Sequence, residues 1–264
     1  AEAAALAVKN GCELNCGYVF PHLLEAVEKN LISEEEIDTG VYRLLLARFK
    51  LGMFDPEDMV PYASIPYEAN NSEENHAINR KMARESLVLL KNDGLLPVSR
   101  EKVKTIAIIG PNADSTEALI GNYYGTPSVT YTVLDGFKAA HPDAKIIFAE
   151  GCSLNQPNPY LSWSEEPSWG FSEAISAAKR ADLVVLALGM TAALEGEEAA
   201  VTSEGGDKTD ISLPGMQQHL MEAVASVGKP TVLLNITGSC VDLRSAQENV
   251  NAIIQCWYPG QFGG

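Results

Sequence analysis

Five short runs of apolar residues, rich in valine, isoleucine and leucine, constrain the fold of this chain most strongly. Each run ends in glycine or a turn, and helix-like stretches such as SEAISAAKRA and GMQQHLMEAVASVG alternate with them. The runs read KTIAIIGPNA, KIIFAEGC, DLVVLALG, KPTVLLNITG and NAIIQCWYPG. Strands that are buried on both faces give continuous apolar runs, whereas half-exposed strands alternate apolar and polar residues. The pattern therefore predicts an α/β fold, with a mostly parallel sheet sandwiched by helices.

The segment LEGEE, residues 194–198, follows one of these predicted strands directly and carries three carboxylates, Glu195, Glu197 and Glu198. In open parallel sheets, ligands bind at the carboxyl ends of the strands. GPNAD, residues 110–114, lies at another such end. Crowded carboxylates repel one another, which raises the pKa of at least one of them. The segment is either a solvated loop or a place where one carboxyl group is kept protonated.

The chain before residue 103 has a different organisation. Residues 1–55 are predicted to be mainly helical, with a capping box formed by Ser33 and Glu36 before an apolar stripe that ends at Gly52. Residues 56–102 are predicted to be a proline-containing linker, a helix from about residue 72 to 86, and a turn at Asn92-Asp93-Gly94. Residues 103–264 hold the predicted sheet. Both ends look cut, so we expect a fragment of a longer protein.

Charge argues against two classes of partner. The net charge is −16 and the isoelectric point about 4.6, which disfavours binding to nucleic acid and to anionic membrane surfaces. No apolar run approaches the ~18 to 20 residues of a membrane span. A nucleotide site is also disfavoured, because GPNAD lacks a glycine-rich fingerprint and GGDKT, residues 205–209, has Asp207 where a phosphate loop needs glycine.

Seven motifs stand in order along nearly the whole chain: EAAALAVKNGCELNCG, LISEEEIDTGVYRLLLARFKLGMFD, ARESLVLLKNDGLLPV, IAIIGPNAD, GNYYGTP, LEGEE with GGDKTDISLPGMQ, and WYPGQFGG. Together they resemble glycoside hydrolase family 3 on its β-xylosidase side. GNYYG and the Cys-x3-Cys stretch favour β-xylosidases over β-glucosidases within that family. The resemblance implies that residues 1–55 are the tail of a (β/α)8 barrel. It also implies that residues 103–264 are the α/β sandwich domain, which carries the acid/base loop.

The resemblance implies a retaining mechanism, with an aspartate nucleophile on the barrel and a glutamate acid/base on the second domain. The family nucleophile lies in a Ser-Asp motif, and this sequence contains no Ser-Asp dipeptide. The acid/base falls in LEGEE, with Glu195 as the first choice and Glu197 and Glu198 as alternates. If all three are solvated, Glu204 is a further candidate. No role is carried onto Glu13, because the family usually has aspartate there.

Other positions receive weaker interpretations. Tyr123, in GNYYG, matches the aromatic residue at the mouth of the family's pocket and would stack on a sugar, although a buried tyrosine at the sheet edge explains it almost as well. Asp207 is expected to fix the loop, and Trp163 and Trp169 either line a cleft or serve packing. No histidine or cysteine has the spacing of a metal site, and we expect no cofactor.

The sequence thus predicts a retaining exo-β-xylosidase that acts on xylo-oligosaccharides. The expected partners are an oligosaccharide substrate and the barrel domain of the same polypeptide. A β-glucosidase of the same family is one alternative, and a non-catalytic carbohydrate-binding or structural domain is another.

Overall fold

The computed structural model describes residues 1–155, 170–195 and 210–264. Its residues form two compact units, Ala1–Asn70 and Asn71–Gly264. The second unit contains the sheet and the LEGEE segment, and it therefore determines how the candidate site is built.

The described residues of the second unit form a sheet of six strands, which are β1 (Val88–Asn92), β2 (Thr105–Ile109), β3 (Lys145–Ala149), β4 (Leu183–Gly189), β5 (Thr231–Ile236) and β6 (Ala252–Gln255). Their order across the sheet is β1-β6-β5-β4-β2-β3. Strand β1 lies at one edge and pairs antiparallel with β6, whereas every other pair is parallel. This arrangement confirms the predicted fold class.

Helices cover both faces of this sheet, as the continuous apolar runs require. The helices of this unit are α4 (Glu73–Ser86), α5 (Val133–Ala140), α6 (Phe171–Arg180), α7 (Ala192–Glu195), α8 (Gln217–Ala225) and α9 (Arg244–Asn249). Helices α6, α8 and α9 pack on one face, against inward side chains such as Leu186 and Leu233. Helix α5 packs on the other face, against Ile106 and Val185. All seven residues of β4 are buried.

Two glycines turn the chain sharply at the carboxyl ends of β2 and β4. Gly110 has a φ of 127°, and a Cβ atom there would lie 2.2 Å from the carbonyl oxygen of Ala187. Gly189 has a φ of 137°, and its Cβ would lie 1.9 Å from the carbonyl oxygen of Ile236. Only glycine combines these backbone angles with such close approach. The loops that follow these strands therefore start at fixed points on one edge of the sheet.

The first unit contains α1 (Glu2–Lys9), α2 (Leu23–Glu28) and α3 (Glu34–Lys50). The predicted capping box is present: the Ser33 hydroxyl accepts from the Glu36 N–H, and the Glu36 carboxylate accepts from the Ser33 N–H. Gly52 follows the end of α3 with a φ of 71°, as expected for a helix stop. No helix in the described part of the chain combines the length and apolarity needed to cross a membrane.

The structure divides the chain differently from the predicted segments 1–55, 56–102 and 103–264. The boundary between the compact units follows Asn70, and β1 belongs to the sheet. Two details of the predicted linker are confirmed: α4 begins after Ser72, whose hydroxyl accepts from the Asn75 N–H, and Asn92 accepts from the Gly94 N–H in the turn. The antiparallel pairing of β1 with β6 spans about 160 residues, so local sequence could not reveal it.

Candidate active site

The LEGEE segment begins at the carboxyl edge of the sheet, as the sequence predicted. Strand β4 ends at Gly189, and the short helix α7 ends at Glu195. Because β2, β4, β5 and β6 run parallel, the segments that follow them meet at this edge. Glu195 is described, whereas the other residues singled out between the sheet and α8 lie outside the described residues: Glu197, Glu198, Glu204 and Asp207, together with Trp163 and Trp169.

One carboxylate oxygen of Glu195 accepts three hydrogen bonds from the segment that follows β5. The hydroxyl of Thr237 donates to Oε1 at 2.9 Å, the N–H of Gly238 at 2.9 Å and the N–H of Ser239 at 2.7 Å. Thr237 is fully buried, so its hydroxyl is held in place. Two consecutive backbone N–H groups and one hydroxyl thus converge on a single oxygen.

These donors favour the charged form of Glu195. Burial alone would raise the pKa of Glu195, but the donors outweigh it: the Tyr258 and Thr237 hydroxyls, then the hydroxyl and N–H of Ser239, bring the pKa below its ordinary value. The Tyr258 and Ser239 hydroxyl oxygens face the carboxyl group without reaching hydrogen-bond geometry with any described atom. The crowding argument, which required a raised pKa for at least one of the three carboxyl groups, therefore does not apply to Glu195, where hydrogen bonds to the ion decide the direction.

Tyr258 closes the other side of the same carboxyl group. A Cβ atom at Gly238 would lie 2.9 Å from the Tyr258 ring and 3.2 Å from Oε2 of Glu195, so the ring, the glycine and the carboxyl group are in close contact. Burial, and then the charge and hydrogen-bonding influence of Glu195, raise the pKa of Tyr258 above its ordinary value. The pair is therefore an ionised carboxylate beside a neutral phenol at neutral pH.

Gln217 holds the start of the loop that leads to Glu195. Its side chain is completely buried and forms three hydrogen bonds: it accepts from the Gly189 N–H at 2.8 Å and donates to the carbonyl oxygens of Gly189 at 2.8 Å and Leu154 at 2.7 Å. Asn112, in GPNAD, donates to the Met190 carbonyl oxygen at 3.1 Å. Two buried amides therefore fix the backbone on both sides of the β4 end.

Tyr123 lies in a loop that approaches the same edge. A Cβ atom at Gly121 would lie 3.6 Å from the Tyr258 ring, so the GNYYG segment adjoins the residue that contacts Glu195. Tyr123 itself is 92% exposed and has a φ of 59°. The interpretation of a buried tyrosine is therefore wrong. A positive φ at a bulky residue is costly, and strained residues of this kind cluster at functional sites.

Polar atoms without partners are concentrated at this edge. In the described ranges, the buried side-chain oxygens that lack a hydrogen-bond partner belong to four residues: Asn112, Asn235, Ser239 and Tyr258. Asn112, Ser239 and Tyr258 follow β2, β5 and β6, respectively. Asn235 lies within β5, near its carboxyl end. Buried polar groups are normally satisfied, so such a concentration is typical of a functional site.

Sequence analysis missed Thr237, Ser239, Tyr258 and Gln217. The first three lie at or just after the ends of two predicted buried strands, KPTVLLNITG and NAIIQCWYPG. The rule that the carboxyl ends of parallel strands meet at one edge of the sheet would have identified them. Gln217 lies in LPGMQ, and no local signal marks its long-range contacts.

The described residues contain no group of three or more histidine, cysteine, aspartate or glutamate side chains able to hold a metal ion. Chemically, the edge binds the negative charge of Glu195, and two further glutamates follow that residue in the sequence.

Comparison with known proteins identifies the family. Residues 87–264 match the family model described as the glycosyl hydrolase family 3 C-terminal domain. A probable exo-1,4-beta-xylosidase of Aspergillus fumigatus, bxlB, is 38% identical over the whole of this chain and 32% of its own length. A probable exo-1,4-beta-xylosidase of Neosartorya fischeri, xlnD, has the same identity and coverage. The chain thus spans about a third of the length of the curated relatives it matches.

Solved structures agree with this result. A family 3 exo-beta-xylosidase, XlnD, in complex with a xylobiose aziridine probe, superposes with a TM-score of 0.86 at 35% identity, covering 99% of this chain and 32% of that one. A β-glucosidase from Erythrobacter marinus gives a TM-score of 0.83 at 29% identity, covering 99% and 36%. The chain belongs to glycosyl hydrolase family 3, and its residues 87–264 match the C-terminal domain of that family.

Proposed function

We propose that this chain supplies the acid/base side of the active site in a retaining exo-β-xylosidase. The observation that carries the proposal is the position of Glu195, the first glutamate of LEGEE, which ends α7 at the carboxyl edge, where Thr237, Tyr258 and the GNYYG loop converge. Glu197 and Glu198 follow it in the sequence. The similarity to exo-xylosidases over the whole chain supports the same reaction class.

Retaining hydrolysis needs two carboxyl groups with opposite protonation. One must be ionised to attack the anomeric carbon, and the other must hold a proton for the leaving oxygen, roughly 5 to 5.5 Å away. The family resemblance puts the first on the barrel domain, in a Ser-Asp motif that this sequence does not contain. The second is then the contribution of this chain. Two carboxyl groups suffice for the chemistry, so we propose no metal or organic cofactor.

The surroundings of Glu195 suit it poorly to hold a proton. Its Oε1 already accepts three hydrogen bonds, and its pKa is lowered. A general acid instead needs a pKa near or above the working pH. We therefore assign proton transfer to Glu197 or Glu198 ahead of Glu195, which reverses the order of preference drawn from the sequence.

Tyr123 is the proposed substrate-binding residue of this chain. Its exposed ring lies on a loop beside Tyr258, and a flat aromatic ring offers an apolar face to the C–H surface of a sugar. The substrate class we propose is xylo-oligosaccharide. A β-glucosidase activity is the second candidate, favoured by β-glucosidase structures with TM-scores from 0.73 to 0.83.

Leaving-group dependence in the full-length protein tests the acid assignment. Gln replacements at Glu195, Glu197 and Glu198 are compared on xylobiose, whose leaving group needs a proton, and on a dinitrophenyl xyloside, whose leaving group does not. The variant that lacks the acid should lose far more activity on xylobiose, by about 10² to 10⁴-fold. Azide should restore its turnover on the aryl substrate, because deglycosylation also lacks its base.

The expected result is azide rescue for Glu197→Gln or Glu198→Gln. If azide rescues none of the three variants, LEGEE is not the source of the acid.

Substrate specificity is read from kcat/KM of the unmodified protein on p-nitrophenyl β-xyloside and β-glucoside. A higher value for the glucoside would replace the β-xylosidase proposal with the β-glucosidase one.

A further inference from the structure

Glu195 makes a connection between two loops that the sheet itself does not make. Strands β4 and β5 pair in register up to Gly189 and Ile236. Within the described residues, the backbone link continues beyond that point as far as the Met190 N–H, which donates to the Ile236 carbonyl oxygen at 2.8 Å. Six residues after Gly189, the Glu195 carboxylate rejoins the β5 side through Thr237, Gly238 and Ser239.

The surroundings of this carboxylate leave it little freedom. Gly238 approaches so closely that a Cβ would lie 3.2 Å from Oε2, while the Tyr258 ring occupies the adjacent space. Hydrogen bonds from N–H and O–H groups to an ionised carboxylate are shorter and stronger than those between neutral groups. The carboxylate is therefore held by the backbone after β5, with an aromatic ring from the segment after β6 beside it.

We infer that Glu195 is a positioning residue, whose carboxylate clamps the start of the acid/base loop to the Thr237–Gly238–Ser239 segment and keeps a negative charge on the chain two or three residues before the acid. This inference rests on the proposed function, in which Glu197 or Glu198 is the acid. It differs from the family assignment of an acid to LEGEE, because Glu195 neither donates nor accepts the transferred proton. Its role is exerted through its neighbour.

The charge has a direct consequence for the acid. Glu197 and Glu198 follow two and three positions later in the sequence, and three residues of chain reach at most about 11 Å. A fixed negative charge at that range disfavours ionisation of a second carboxyl group and keeps its proton in place. Among the described residues, the titratable group that faces Glu195 is Tyr258, which adds no charge at neutral pH.

Glu195→Gln in the full-length protein separates charge from shape, because glutamine keeps a carbonyl acceptor for the three donors. The pKa of the acid is read from the alkaline limb of kcat/KM on xylobiose. Removal of the negative charge should move that limb to lower pH by roughly one unit. At a pH below that limb in both proteins, we also expect no azide rescue, and the same ratio of xylobiose to dinitrophenyl xyloside activity as the unmodified protein.

Glu222→Gln is the matched control. Its carboxylate also accepts two hydrogen bonds, from the Ser245 hydroxyl at 2.7 Å and the Gln218 amide at 2.9 Å, but it lies on α8. It should leave the limb unmoved. A uniform loss of activity in Glu195→Gln without a limb shift would reduce Glu195 to a structural residue and overturn the charge role. Azide rescue would make Glu195 itself the acid and overturn the inference outright.

Amide hydrogen exchange tests the clamp independently of catalysis. The N–H groups of Gly238 and Ser239 should exchange at least about tenfold faster in Glu195→Ala than in the unmodified protein. Their exchange rates should be unchanged in Glu222→Ala. Equal exchange in Glu195→Ala would refute the clamp, whatever the activity. If the unmodified protein hydrolyses neither xylosides nor glucosides, the proposed function fails, and the exchange result alone then decides whether the clamp exists.

Discussion

At the scale of single residues, Glu195 shows how one carboxyl group can be interpreted in two opposite ways. Three glutamates within four positions predicted that one carboxyl group of LEGEE holds a proton, and the family resemblance chose Glu195 as that group. The folded chain adds Thr237, Gly238 and Ser239, which are more than 40 positions away and donate to it. Hydrogen bonds to the ion outweigh burial, so the pKa falls.

The lowered pKa of Glu195 predicts how the stability of this chain depends on pH. Its pKa lies below the ordinary value of 4.5 in the folded state, so ionised Glu195 contributes stability that is fully present above the unfolded-state pKa. That contribution is lost as pH falls through the folded pKa. Glu195→Gln should therefore lower the free energy of unfolding at pH 7 and make progressively less difference in acid.

Urea unfolding of the unmodified chain and of Glu195→Gln, from pH 7 down to pH 3, measures this dependence. The difference between the two curves should shrink steadily as the pH falls. A difference that instead grows in acid would mean that the folded state raises the pKa of Glu195. That outcome would restore the interpretation drawn from the sequence, in which Glu195 holds the catalytic proton.

At the scale of elements, sequence predicted what local pattern determines. Continuous apolar runs gave β2 to β6, and the Ser33–Glu36 capping box and the Asn92–Gly94 turn were found where expected. Strand order and the antiparallel addition of β1 depend on pairing between distant residues, so no local pattern reveals them. The contacts of Gln217 were missed for the same reason, whereas Tyr258 lies just after β6, where the rule that parallel strand ends meet at one edge could have identified it.

Gln217 offers a test of how one helix secures the loop before the site. Its buried amide satisfies the N–H and C=O groups of Gly189 and the C=O of Leu154, so Gln217→Leu leaves three backbone groups without these partners. Each unsatisfied buried group costs about 1 to 3 kcal/mol, and we expect a loss of at least about 3 kcal/mol in the free energy of unfolding. Urea unfolding measures this loss.

The neighbouring Gln218 provides the control for that experiment. It is only half-buried, and its amide donates to a single side chain, Glu222, at 2.9 Å. Gln218→Leu should cost under about 1 kcal/mol, the net value of one ordinary hydrogen bond. Equal losses in the two variants would show that the Gly189 and Leu154 contacts do not hold the chain at the end of β4.

At the scale of the whole molecule, the proposed function divides the two catalytic carboxyl groups between domains, with the nucleophile on the barrel domain and the acid/base on this chain. This chain matches the C-terminal domain over residues 87–264 and spans about a third of its relatives. Its sequence offers glutamates for proton transfer and contains no Ser-Asp motif for the nucleophile. A domain that carries one half of such a pair can fold around its own sheet and still depend on the other half for chemistry.

The chain of 264 residues should therefore be folded yet nearly inactive on p-nitrophenyl β-xyloside. Without a nucleophile no glycosyl-enzyme intermediate forms, and general acid catalysis alone contributes only about 10² to 10⁴-fold. Circular dichroism and a cooperative urea transition would establish that the chain is folded, and the full-length protein assayed beside it would supply the reference rate. Turnover by the chain at a rate close to that reference would mean that a nucleophile lies within these residues, and the division of the catalytic pair between domains would then be wrong.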